Sequence, residues 1–271
     1  MNNCFITHKV AFKIYRDLRN QQSSLLPSKT NIVPTKISSC SRRNWIDISS
    51  AFPDLANEKV DVTVTLKEHV YSSPHFRFHQ YSGGYPKGSF CFLDNNVYIA
   101  CPELMFCQLA SSYSFEKLLL LGYEICGSYS YNDNSLIGFS NNLKAVASRQ
   151  SISEYISKLQ KCSYNFPGLK AAKKASEYLL DNSASPQESR LSLLLTGPRS
   201  IGAFNIKNCS LNHKINLSNK AAQICNQPYV YPDLCIKNSR IAIEYDSDFF
   251  HSESSQNRKD KRRINALQFD G

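Results

Sequence analysis

The chain is predicted to be a mixed α/β (α+β) protein of about two domains. Three observations lead there. Its 271 residues exceed what one ordinary core organises. Segments alternating at period two are interspersed with segments whose apolar residues recur at helical spacing. The last third reads helix, three strands, helix, an α-β-β-β-α order that calls for strands and helices packed in layers. The boundary is expected near residue 160, with a mixed α+β domain over 1–160 and a second domain over 161–271.

Thr7 is placed to cap a helix from His8 to Arg19 that carries Val10, Ala11, Ile14, Tyr15 and Leu18 on one stripe. Gln21 to Ser41 is polar and contains prolines, as a loop does. Lys59 to Leu66 (KVDVTVTL) alternates and predicts a strand, and Phe76 to Tyr81 predicts another. Ser89–Leu93 and Val97–Cys101 flank Asp94-Asn95-Asn96, a hairpin signal. Helices follow over Cys101–Ala110 and Phe115–Cys126, the second closed by Gly127. Ser128 to Arg149, rich in Ser, Asn and Tyr, is a connection with one short strand. Ile152–Leu159 and Leu169–Leu180 are amphipathic helices. The second domain then reads helix Pro186–Leu195, strands Leu211–Leu217, Val230–Ile236 and Arg240–Asp246, and a helix over about Ser255–Phe269.

Composition narrows the function classes. With 42% hydrophobic and 20% charged residues the chain is globular rather than disordered. It lacks an apolar run of the roughly 18 residues a membrane span needs, and its polar N-terminus lacks a signal-peptide core. A formal charge of +10 and a pI near 9.1 favour a polyanionic partner, DNA or RNA. The ten cysteines form no CxxC pair and have no histidine at finger spacing, which argues against a zinc site. Free thiols without an export signal suit a reducing cytoplasm.

The informative segment runs from Tyr231 to Asp246 (YPDLCIKNSRIAIEYD). If Asn238-Ser239 forms a two-residue turn, Asp233 lies opposite Glu244. If the turn is Lys237-Asn238, Asp233 is diagonal to it. In both registers Asp233, Ala242, Glu244 and Asp246 share one face, and Leu234, Ile236, Ile241, Ile243 and Tyr245 share the other. A three-residue turn breaks this parity. Carboxylates crowded on one face repel, and a hard divalent cation, Mg²⁺ or Mn²⁺, reverses the sign. Asp233 and Glu244 are the candidate metal ligands. The alternative is a solvated polar face with each acid hydrated. Glu188, in Ser185-Pro-Gln-Glu188, either completes a capping box or points into the acid cluster.

These residues carry a family resemblance. Ser185-Pro-x-Glu188, Pro232-Asp233, Ile243-Glu-Tyr-Asp246, His251 and Asp260-x-x-Arg263-x-x-x-Leu267-x-x-x-Gly271, in that order, resemble the PD-(D/E)XK nuclease superfamily, especially its very-short-patch-repair endonuclease-like branch. The resemblance covers about 85 residues. It implies a restriction-endonuclease-like core in which Asp233 and Glu244 bind Mg²⁺ or Mn²⁺ and Glu188 supports them. It adds Asp246 and His251 as catalytic candidates, His251 for proton transfer or phosphate contact, or else as an exposed loop histidine. Arg258, Lys259, Lys261, Arg262 and Arg263 are placed to meet a phosphate backbone, or else form the solvated face of a helix. Two departures stand out. Asp246 replaces the superfamily's usual lysine. The strand that follows the last helix is missing, so the core is expected to be truncated.

Tyr98-Ile-Ala-Cys-Pro-Glu-Leu104 and Gly122-Tyr-Glu-Ile-Cys-Gly127 are similar to segments of proteins related to abortive-infection antitoxins, where they accompany DNA binding or toxin control. Two functions are therefore expected. One is a metal-dependent phosphodiester hydrolase acting on nucleic acid, DNA foremost. The other is an antitoxin-like regulator or nucleic-acid binder with an inactive nuclease fold and a toxin or other protein as partner.

Overall fold

The computed structural model describes residues 3–22, 26–34, 36–163, 165–245 and 254–270, without the side chains of 254–260. The chain is mixed α+β and divides into two compact units, Met1–Leu179 and Leu180–Gly271. This division falls beyond the expected boundary near 160. The helical segment that follows residue 160 packs into the first unit, leaving the second with 180–271.

The first unit contains β1 (Cys4–Ile6), α1 (His8–Asn20), α2 (Arg42–Ala51), β2 (Val60–Val64), β3 (Phe76–Gln80), β4 (Phe90–Asp94) and β5 (Val97–Ala100). After these come α3 (Pro102–Leu109), α4 (Phe115–Cys126), β6 (Ser130–Tyr131), β7 (Phe139–Ser140), α5 (Arg149–Cys162) and α6 (Leu169–Ser176). Strands β3-β2-β1-β5-β4 form one mixed sheet. β1 runs parallel to β5 and antiparallel to β2, β2 runs parallel to β3, and β4 and β5 form a hairpin. The hairpin turn is built as its sequence suggests. Asn95 and Asn96 both take positive φ, 42° and 64°, which matches the twist of the flanking strands.

Alternation in β2 predicts one buried face, yet all five of its residues are buried. Asp61 and Thr63 point to a polar but covered side. Asp61 pairs with Arg77 and His79, and Thr63 hydrogen-bonds Tyr85. The helical core behind the sheet includes Leu104, Phe106, Leu119 and Ile152, all fully buried. Gly168 permits close approach at the start of α6. It has φ +81°, and a Cβ there would sit 2.5 Å from the backbone nitrogen of Ser111.

The second unit contains α7 (Pro186–Thr196), β8 (Cys209–Leu211), β9 (Ile215–Asn216), α8 (Asn219–Cys225), β10 (Tyr229–Val230), β11 (Leu234–Ile236), β12 (Ile241–Ile243) and α9 (Ser254–Asp270). The expected α-β-β-β-α order is thus corrected. Two of the three expected strands are each split, and α8 intervenes. Leu211–Leu217 breaks at Asn212, whose φ of 45° turns the chain out of line. Val230–Ile236 breaks at Tyr231-Pro232-Asp233, since proline removes a ladder donor. The halves go to different sheets: β12-β11-β8 is one antiparallel set and β10-β9 another. Ala221, Cys225, Val230 and Ala266 form the small core where α8 meets α9.

Candidate functional site

The hairpin between β11 and β12 fixes the acids. Leu234 pairs with Ile243, Cys235 with Ala242 and Ile236 with Ile241. Lys237–Ser239 form a single 3-10 turn, and Arg240 closes it at φ 50°. The connection is longer than a two-residue loop, but its even count of residues preserves parity. Extended by one step, this register sets Asp233 opposite Glu244, on the face of Cys235 and Ala242. The opposite face is less buried than its sequence suggests: Leu234 is buried, whereas Ile241 and Tyr245 are exposed.

Each acid has a defined environment. Asp233 accepts the backbone N–H of Tyr245 at 2.6 Å. Burial holds its carboxyl above the usual range, against the pull of that N–H and of Arg263. Glu244 accepts from Arg263 at 2.7 Å, and Arg263 also donates to the Tyr231 carbonyl at 3.0 Å. Arg263, expected on the phosphate-facing side of the helix, is therefore engaged with the acid cluster itself. Glu188 lies in the first turn of α7 and within charge range of Asp233. Ser185 Oγ accepts the Glu188 N–H at 3.1 Å, as an N-cap does. The Glu188 carboxylate reaches back to the Ala184 N–H at 2.9 Å, one residue before the capping-box position, and accepts Asn212 Nδ2 at 2.7 Å. Burial raises its pKa, and the Asp233 charge adds to the rise.

Asn212 is the residue that sequence reasoning missed. Asn212, a residue type that tolerates left-handed backbone, inside the expected strand Leu211–Leu217 was the available signal. Its positive φ ends β8 and turns its amide onto Glu188 and the Asn182 carbonyl.

A cleft of about 960 Å³ lies beside Glu244, lined also by Lys237, Arg240, His213, Ile241 and Leu267. Lys261 and Arg262 are exposed on α9, and Arg262 lies 3.0 Å from the Asn226 carboxamide oxygen. Arg258 and Lys259 belong to the same helix, but their side chains lie outside the described residues, as do Asp246 and His251 entirely.

Among the described residues no group of three His, Cys, Asp or Glu side chains converges as a metal-holding set. The chemistry of the donors still fits a hard divalent cation. They are all carboxylate oxygens, and two are partly buried acids with raised pKa values that a cation would lower. For Glu244 to join them, its contact with Arg263 has to open.

A raised carboxyl pKa has a definite sign in stability. The fold favours neutral Glu188, so its contribution is fully present below the unfolded value of about 4.3 and is lost as pH rises through the higher folded value. At neutral pH the second unit carries the cost of the charge. Glu188→Gln is expected to hold or raise the thermal midpoint by a few degrees near pH 7 and to lose that advantage toward pH 4. Melting curves across this window check it, and a lower midpoint at pH 7 would show that the charged cap dominates.

Compared with family models, curated proteins and solved structures, the chain matches none of them. Among the described residues no helix is long and apolar enough to cross a membrane.

Proposed function

We propose that the second unit is a PD-(D/E)XK-like, metal-dependent phosphodiester hydrolase acting on nucleic acid, DNA foremost. The observation that carries this reading is the β11–β12 register. It sets Asp233 opposite Glu244 on one face, while Glu188 feels the Asp233 charge. Asp233 and Glu244 are the ligands for Mg²⁺ or Mn²⁺, and Glu188 supports them by holding Asn212, whose backbone N–H donates to the Asp233 carbonyl at 3.2 Å. The bound cation supplies a polarised phosphate and a more acidic water. Tyr245 N–H orients the Asp233 carboxylate. Lys237, Arg240, Lys261 and Arg262 provide positive charge for the strand. Asp246 and His251 stay in the reading as catalytic candidates, and Arg258 and Lys259 as backbone contacts.

A specific contact favours a second reading. Arg263 neutralises Glu244, as would suit a nucleic-acid binder or antitoxin-like regulator that does not cut. Titration of Mg²⁺ and Mn²⁺ into the purified chain and into an Asp233→Ala, Glu244→Ala double variant separates the two. Both proteins are also incubated with plasmid and with single-stranded DNA. Metal binding and cleavage by the wild type, lost in the double variant, are expected. Folded wild-type protein that binds DNA without binding metal would establish the second reading instead.

A further inference from the structure

The first unit holds a second constellation, remote in chemistry from the carboxylates. β1 turns directly into α1, and His8 makes that turn at φ 52°. A histidine in left-handed backbone is uncommon and marks a position held by its surroundings. The Thr7 N–H donates to the Asp61 carbonyl at 2.9 Å, and the His8 N–H donates to Gln108 Oε1 at 3.3 Å. The result is a His8 ring stacked on His79, centroids 3.7 Å apart and planes 16° from parallel.

His79 is oriented in turn. Its Nε2 lies 2.9 Å from Asp61 Oδ1, and the Asp61 side chain is 3% exposed. Burial raises the Asp61 pKa, but the hydrogen bond from His79 and the charge of Arg77 outweigh it and hold the acid ionised. An ionised acceptor fixes the proton on Nε2 and leaves Nδ1 as an acceptor while His79 is neutral. His8 stays neutral. Burial, and then the His79 charge, take its pKa down to about 3, with Arg77 assisting and Asp61 opposing. Two stacked rings present faces rather than converging lone pairs, and no metal-holding group forms here among the described residues.

A cavity of about 340 Å³ opens over this pair, walled by His8, His79, Tyr81, Tyr85, Phe166 and the Gln108 amide. Its size lies at the small end of small-molecule sites, roughly 300 Å³ upward. Its chemistry is selective. Aromatic walls offer stacking. One nitrogen stays open on each imidazole, since Thr7 Oγ1 lies 3.0 Å from His8 Nδ1 and Asp61 holds His79 Nε2, and the Gln108 NH₂ can donate while its oxygen accepts the His8 N–H. Positive charge is scarce, because Asp61 balances Arg77. A phosphate would find little counter-charge, whereas a neutral planar heterocycle would find stacking and directional partners together.

We infer that this cavity is a binding site for a neutral heteroaromatic ligand of nucleobase size, with Asp61 positioning His79 and the β1–α1 turn positioning His8. The site belongs to the first unit and stands or falls independently of metal-dependent cleavage.

The test uses the full chain with ¹⁵N-labelled histidine. Adenosine, guanosine, cytidine and uridine are added separately, with inorganic phosphate as a further arm, while ring ¹H–¹⁵N correlations are followed. At least one nucleoside is expected to shift the His8 and His79 signals saturably while His69 stays still. The free protein is expected to show His79 protonated at Nε2. Gln108→Ala is expected to weaken that response at least tenfold. Silence of both rings toward all four nucleosides at millimolar concentration, or an equal response to phosphate alone, would overturn the inference. Both readouts come from the wild type, so a variant that fails to fold does not obscure the answer.

Discussion

Glu124→Ala is expected to destabilise the first unit by roughly 3 kcal/mol, the scale on which removing one partner of a buried ion pair acts. The Glu124 side chain is 1% exposed and receives Arg16 in a bidentate fork, Nε and Nη2 both at 2.7 Å. It also accepts Ser130 Oγ and the Tyr131 N–H, so one carboxylate ties α1 to α4 and β6. Neighbouring Arg19 is almost wholly buried and donates to the carbonyls of Glu124, Gly127 and Lys144. Alanine at 124 would strand Arg16 without its counter-ion and leave a second guanidinium close by. Arg16 retains some solvent contact, which holds the expected cost to the low end for such pairs. Glu124→Gln keeps an acceptor and should lose distinctly less. Urea unfolding of the three proteins reads the order directly, and equal midpoints would mean that water replaces the fork at no cost.

Asp233→Asn is expected to lower cleavage by roughly a hundredfold or more, the scale of removing an electrostatic element that acts on the reacting phosphate. The substitution is chosen for what it preserves. An asparagine oxygen can still accept the Tyr245 N–H, so the end of β12 should hold its place. Only the negative charge is removed. Burial already disfavours that charge in the free protein, so the variant should be at least as stable as the wild type without metal. Losing activity while keeping stability distinguishes a group that meets substrate or cation from one that supports the fold. Unchanged cleavage by Asp233→Asn would remove this carboxylate from the reaction.

That Asp233 and Glu244 share one face was legible because side-chain alternation depends only on the parity of the turn, whereas the choice between opposite and diagonal was left open until the turn length was known. Lys237–Arg240 adds an even number of residues. The Asn95-Asn96 turn was legible for a related reason: its residue types tolerate the backbone it needs. Other features depend on neighbours far away in sequence. Alternation in Lys59–Leu66 predicts a strand but is silent on a second covering layer, so the burial of Asp61 and Thr63 was hidden. The Arg263–Glu244 contact joins residues 19 apart in sequence, and a periodic helix face reads such an arginine as solvated. Asn212 was absorbed into the expected strand Leu211–Leu217, although its residue type tolerates the very φ that breaks that strand. The pairing of His8 with His79 requires β1, β2 and β3 to lie side by side, which local patterns do not encode.

β1 occupies residues 4–6, yet it is the middle strand of the five-stranded sheet. Its partners lie around Val62 and Val97. As the chain leaves the ribosome, this strand must wait until Ala100 has emerged before both of its edges can pair. Contacts so distant along the sequence make closure slow, and the exposed β1 is meanwhile open to pairing with the wrong partner. Synthesis speed and chaperone access, more than final stability, are thus expected to govern the yield of folded protein.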